Sequence, residues 1–216
     1  MAVLDYIVRQ PKNSTQGKPP LLLLLHGYGS NENDLFSFAD HLHPSLLVVS
    51  LRAPHVLPMM GFAWYSIHFD AEQGKWSDNE EAIASRELVL HFLDELQQIH
   101  SYDPSKVHLL GFSQGAILSY ALGLTYSKRF ASVIALSGYL NENISKLPKP
   151  EEAPAIYAAH GTLDEVVPFD WGQQSAMQLK QKGFDIQFDH FPVGHTVGQD
   201  GFYQLLAWQN AKLQER

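Results

Sequence analysis

The chain has no cysteine in its 216 residues, which removes disulfides, thiolate nucleophiles and cysteine-held metals together. It also lacks any run of basic residues, and acidic side chains outnumber basic ones by 23 to 15, a formal charge of −8. A polyanion would be repelled by such a surface, so nucleic acid is not expected as a partner. The longest apolar run is five leucines at 21–25, behind Pro19-Pro20. A spanning helix needs roughly 20 residues, so no stable membrane insertion is expected. Met1-Ala2-Val3-Leu4-Asp5 has neither the basic nor the long apolar region of a secretory signal. A cytoplasmic protein is the default expectation.

What remains is a chain with 45% hydrophobic residues, enough to bury one sizeable core, and a single domain over residues 1–216 is the simplest organisation. Short apolar runs at 3–8, 21–25, 46–51, 107–110, 131–136, 155–159 and 184–191 are the candidate strands. Most lack polar alternation, as strands buried on both faces of a parallel sheet do. Segments 33–43, 79–99, 114–126, 169–182 and 197–213 carry apolar residues at helical spacing. In the second, Ile83, Leu88, Phe92, Leu96 and Ile99 form the expected stripe. Repeated strand-then-helix order predicts an α/β fold: an open, mostly parallel central sheet with helices on both faces, binding ligands beyond the carboxyl ends of its strands.

Residues 52–78 fit no period. They include Pro54, Pro58, Met59, Met60, Phe62, Trp64, Tyr65, Phe69 and Trp76. Long irregular segments in compact domains are often functional, so these aromatics are candidates to line an apolar pocket. A satellite core beneath a surface loop is the other reading.

Gly111-Phe112-Ser113-Gln114-Gly115 matches G-x-S-x-G between an apolar run and a helical segment. A sharp strand-to-helix turn needs small residues two before and two after the nucleophile, because side chains there would collide as the backbone reverses. It lifts the serine hydroxyl over the sheet and turns the amide of Gln114 toward a developing oxyanion. Without that context the same string could be a tight turn with Ser113 as helix N-cap.

The partners should follow in the order acid, then histidine, each on a loop after a later strand. His160-Gly161-Thr162-Leu163-Asp164-Glu165-Val166-Val167-Pro168 places Asp164 on such a loop, with Glu165 as its rival. Of eleven histidines, only His195, in Pro192-Val193-Gly194-His195-Thr196, follows the acid and sits between the last strand and the last helix. Serine is a weak nucleophile until an adjacent imidazole takes its proton, and a buried carboxylate holds that imidazole's tautomer. Leu25-His26-Gly27-Tyr28-Gly29-Ser30 ends an early strand with two glycines. Its spacing is neither G-x-G-x-x-G nor a P-loop, so the amide of Tyr28, with that of Gln114, is assigned to an oxyanion hole. His26, His41, His43 and His55 show no metal-ligand spacing.

These blocks resemble the phospholipase/carboxylesterase family of small α/β-hydrolases, which includes acyl-protein thioesterases. The resemblance rests on Leu25 to Gly29, Arg52-Ala53-Pro54 with Trp64-Tyr65, Gly111 to Gly115, His160 to Asp164 with Val167-Pro168, and Gly194-His195, in that order. It implies a single-domain α/β-hydrolase fold without a large lid domain. It also implies a cofactor-independent serine hydrolase of carboxylic esters or thioesters with short to medium acyl chains, with no metal and often a homodimer. On it, Ser113, Asp164 and His195 are the triad and Tyr28 and Gln114 the oxyanion hole; Phe62, Trp64, Tyr65 and Val167 are the candidate substrate contacts. Ser66-Ile67-His68-Phe69 departs from the family pattern, where an Asp-Ile pair would follow Trp64-Tyr65. Competing readings are a peptidase or acyltransferase with the same triad, or a non-catalytic binding protein on the same fold.

Overall fold

The computed structural model describes residues 3–13, 17–70 and 74–214. In chain order its elements are β1 (Tyr6–Arg9), β2 (Leu21–Leu25), α1 (Asn33–Phe36), β3 (Leu47–Leu51), β4 (His55–Leu57), β5 (Gly61–Ala63), β6 (Ile67–Asp70), β7 (Gly74–Ser77), α2 (Asn79–Ile99), β8 (Val107–Phe112), α3 (Gln114–Thr125), β9 (Ser132–Leu136), β10 (Ala155–Gly161), α4 (Phe169–Gln181), β11 (Ile186–Phe191) and α5 (Gln199–Gln214). Seven strands form one sheet in the order β1-β3-β2-β8-β9-β10-β11. All its pairs are parallel except β1 with β3.

The leucine run shows why both faces must be covered. Leu21, Leu23 and Leu25 enter the core under α2 and α3 with Phe92, Leu96 and Leu118, while Leu22 and Leu24 enter a second core with Leu35 of α1 and Leu205 of α5. All five are fully buried, each worth about 1.5–3 kcal/mol relative to exposure. The strand order reverses at the β2/β8 seam: from β2 the chain goes outward to β3, then returns to β8 on the other side. Such a switch point opens a crevice beyond the carboxyl ends of the two strands, where the loop after Leu25 and the turn after Phe112 meet.

Three expectations change in detail. The first helix is one turn, because residues beyond Phe36 bond i to i+3, as Phe38 to Leu35 and Ala39 to Phe36, and the Ser37 hydroxyl takes the Asp34 carbonyl. Leu35, Ala39 and Leu42 are nevertheless buried. In α2 the buried face is Ala82, Ser85, Val89, Phe92, Leu93 and Leu96, while Ile83 and Ile99 are exposed. The start of that helix is set by Asp78, whose carboxylate accepts from the amides of Glu80 and Glu81. The irregular segment contains two antiparallel hairpins, β4 with β5 and β6 with β7. The side chains of Phe69 and Trp76 lie outside the described residues. Among those described, no helix is long and apolar enough to cross a membrane.

Candidate active site

Ser113 sits at the turn from β8 to α3 with φ 54° and ψ −117°, a conformation an L-residue holds only when its surroundings force it, at about 1–3 kcal/mol. The glycines on either side explain how it is held. A Cβ on Gly111 would stand 2.2 Å from the Gly115 carbonyl oxygen, and one on Gly115 would stand 2.0 Å from that of Leu25. The turn is therefore clamped against the end of β2 by backbone that no side chain could share.

Three loops converge on that serine. The His195 Nε2 lies 2.9 Å from Ser113 Oγ, and its Nδ1 lies 2.7 Å from Asp164 Oδ2. The Asp164 carboxylate is fully buried. Its other oxygen accepts the amides of Val166 and Val167, each at 2.9 Å. Burial pushes this carboxyl up, but the hydrogen bonds from His195, Val167 and Val166 outweigh it and leave it below the ordinary aspartate range. It is thus an anion set against an imidazole. Glu165 is exposed, so the rival acid is not part of this chain of contacts. Phe112 lies against the His195 ring with centroids 4.8 Å apart.

A second histidine braces the acid loop. His160, at the end of β10, is buried with Nε2 2.9 Å from the Val167 carbonyl and 3.4 Å from Asp164 Oδ2. A carbonyl can only accept, so Nε2 carries the proton and the tautomer is set.

The amides of Tyr28 and Gln114 border the same space. Neither has a hydrogen-bond acceptor among the described residues, and both residues line the cavity that holds Ser113 and His195. His26 orients the first. Its Nε2 accepts the Ala53 amide at 3.1 Å, so its Nδ1 carries the proton and donates to the Gly27 carbonyl at 2.7 Å. Burial depresses the pKa of this imidazole, more than its contact with Gly27 and the nearby carboxylates raise it, favouring the neutral form. Gln114 is clamped through its side chain, which accepts the Trp64 amide and donates to the Tyr65 carbonyl, both at 2.7 Å. The Trp64 indole NH donates to the His26 carbonyl at 2.9 Å, joining the two loops.

The proposed substrate contacts divide. Tyr65 and Val167 line the cavity of about 560 Å³. Trp64 does not: it is wholly buried and locks the loops from behind. Phe62 does not either, since its ring lies under the Arg52 guanidinium at 4.8 Å. The buried Trp64 NH is satisfied by the His26 carbonyl, as a buried indole requires. Cavity residues not anticipated from sequence include Asn79, Ile117, Tyr139, Asn141 and Trp171. They come from four separate segments, and no local pattern marks them. Among the described residues no three histidine or acidic side chains converge as metal ligands would.

A serine-imidazole-carboxylate chain beside two amides without acceptors among the described residues has the groups to generate an alkoxide, accept a tetrahedral oxyanion and return a proton to a leaving group. Comparison with known proteins agrees with this architecture. A probable carboxylesterase of Oryza sativa subsp. japonica is 29% identical over 68% of this chain, the match spanning 56% of its own length. An acyl-protein thioesterase 1 of Aspergillus fumigatus is 26% identical over 89% of this chain and 86% of its own. The crystal structure of esterase PE8 superposes with a TM-score of 0.78 at 27% identity, covering 96% of this chain and 98% of that one. The model of the phospholipase/carboxylesterase family matches residues 8–210, and the chain belongs to that family of α/β-hydrolases.

Proposed function

We propose that the protein is a serine hydrolase cleaving carboxylic esters or thioesters through an acyl-enzyme. The observation that carries this reading is the unbroken series Asp164, His195 and Ser113, at 2.7 and 2.9 Å, ending in a cavity lined by Tyr28 and Gln114, whose amides have no acceptor among the described residues. Family membership and the esterase and thioesterase names of the relatives support it.

His195 takes the Ser113 proton as Oγ attacks the acyl carbon, and the carbonyl oxygen becomes an anion received by the amides of Tyr28 and Gln114. As the bond to the alcohol or thiol breaks, the leaving group departs with the proton held on His195 Nε2. Water then enters and gives a proton to the same nitrogen as its oxygen attacks the acyl carbon; the bond to Ser113 Oγ breaks, the carboxylic acid leaves, and the proton returns from His195 to Ser113 Oγ. Asp164 keeps Nδ1 protonated and stabilises the imidazolium in both halves. These groups complete the cycle without a cofactor. A strictly positioned base also disfavours the non-catalytic reading, which has no use for it.

Turnover of p-nitrophenyl butanoate tests the assignment. The Ser113→Ala protein should lose about 10⁴–10⁶ in kcat and should no longer react with a fluorophosphonate probe. Near-wild-type turnover or labelling would sink the proposal.

A further inference from the structure

One wall of the cavity consists of uncharged polar side chains that ester chemistry does not use. Ser77 and Asn79 flank the N-cap of α2, and Tyr139, Asn141 and Asn143 belong to the loop after β9. The two segments are cross-linked: Asn141 Nδ2 donates to Asn79 Oδ1 at 3.1 Å. Within the loop the Asn143 amide donates to Asn141 Oδ1 at 3.0 Å. Beneath, Leu140 and Ile144 are buried, and the Leu140 amide is held by Ser175 of α4 at 2.9 Å. The wall is therefore preformed.

Once these bonds are made, the Asn79 Nδ2 and the Asn143 side-chain amide have no partner among the described residues, although both residues line the cavity. Beside them Trp171 is half exposed and meets Tyr139 edge-on at 5.1 Å. No lysine, arginine, aspartate or glutamate lines the cavity among the described residues.

This combination selects a ligand chemistry. Against the described lining residues a phosphate or carboxylate would give up water without gaining a counter-charge. A plain alkyl chain would cover the open amides and leave them unsatisfied. An amide presents a donor and an acceptor side by side, which matches adjacent hydroxyls on a ring, and an exposed indole offers a flat apolar face to the ring's C–H side. We infer that the alcohol portion of the substrate is a neutral polyol, a pyranose sugar, carrying a short acyl chain that packs on Ile117, Val166 and Val167. The inference rests on the hydrolase reading above and leaves its chemistry unchanged: the ester C–O bond breaks, and the sugar hydroxyl leaves with the proton from His195.

The test uses three butanoate esters of primary alcohols, so that intrinsic reactivity is similar: 6-O-butanoylglucose, hexyl butanoate and 1-butanoyl-glycero-3-phosphocholine. The expected kcat/KM for the glucose ester is at least tenfold above that for the hexyl ester, with the phosphocholine ester slowest. Trp171→Ala and Asn143→Leu should each lower the glucose-to-hexyl ratio at least fivefold, through KM. Equal or inverted preference in the wild-type protein, or variants that slow all three esters alike, overturns the inference. Fluorophosphonate labelling and p-nitrophenyl butanoate turnover separate the two levels. If both succeed while preference is flat, only the sugar assignment fails; if both fail, the hydrolase reading fails with it.

Discussion

The His26 imidazole donates from Nδ1 to the carbonyl of Gly27 at 2.7 Å, and this fixes the direction of an amide that His26 never touches. The Gly27–Tyr28 peptide is trans and planar, so pinning its carbonyl on one side turns the Tyr28 N–H to the other. Gly27 lies beside Ser113: a Cβ built on it would be 3.4 Å from the Ser113 Cβ. His26→Leu should therefore lower kcat by about 10–100-fold with KM little changed, less than the roughly 10²–10³ expected when an oxyanion donor is removed outright. Steady-state kinetics check this, and a change confined to KM would refute it.

The two neighbouring carboxylates at 164 and 165 have opposite environments, one buried on His195 and the other in solvent. Asp164→Asn would offer an amide where the imidazole needs an acceptor for its Nδ1 proton. A fall in kcat of about 10³–10⁴ is expected. Glu165→Gln should stay within twofold of wild type. Parallel assays of the two variants decide between them, and equal losses would contradict the assignment.

Gly115→Ala tests the clamp beneath Ser113. Its methyl group would stand 2.0 Å from the Leu25 carbonyl oxygen and 2.6 Å from that of His26, and neither strand end can retreat without breaking the sheet. Destabilisation of at least about 3 kcal/mol is expected, read as a lowered urea midpoint. A midpoint within experimental error of wild type would show that the turn can open.

The contrast between these positions explains what could be read from sequence. Ser113, Asp164 and His195 each follow a strand, and chain order maps onto sheet order, so their meeting place could be anticipated. Trp64 and Tyr65 could not be told apart, because both are buried and only tertiary partners decide that Tyr65 borders the cavity while the Trp64 indole binds the His26 carbonyl behind it. The hairpins of residues 55–77 have strands of three or four residues that pair with each other, too short for a period to show. Of the expected α2 stripe Phe92 and Leu96 are buried, but Ile83 and Ile99 at its ends are exposed, because small Ala82 and Ser85 let the helix pack close and occupy the face there. The asparagine wall belongs to segments some 60 residues apart, joined by the Asn79–Asn141 bond, and no local signal announces such a pair.

His108 makes the stability of the fold depend on acid. Its ring is buried in β8, with Nδ1 on the Ser132 hydroxyl at 2.8 Å and Nε2 without a partner among the described residues. Burial, with Lys106 adding a smaller push, depresses its pKa to about 4. The folded protein therefore keeps His108 neutral where the unfolded chain, titrating near 6.5, takes a proton. Its contribution is fully present above about pH 6.5 and is lost as pH falls toward 4, by up to about 3 kcal/mol. His26, depressed in the same direction, adds to the trend. Urea unfolding at pH 7.5, 6, 5 and 4 should show stability falling across this window. In His108→Gln, which cannot titrate, the slope should be shallower by up to one proton. Identical slopes in the two proteins would mean that the buried imidazole is protonated in the fold, against the burial that surrounds it.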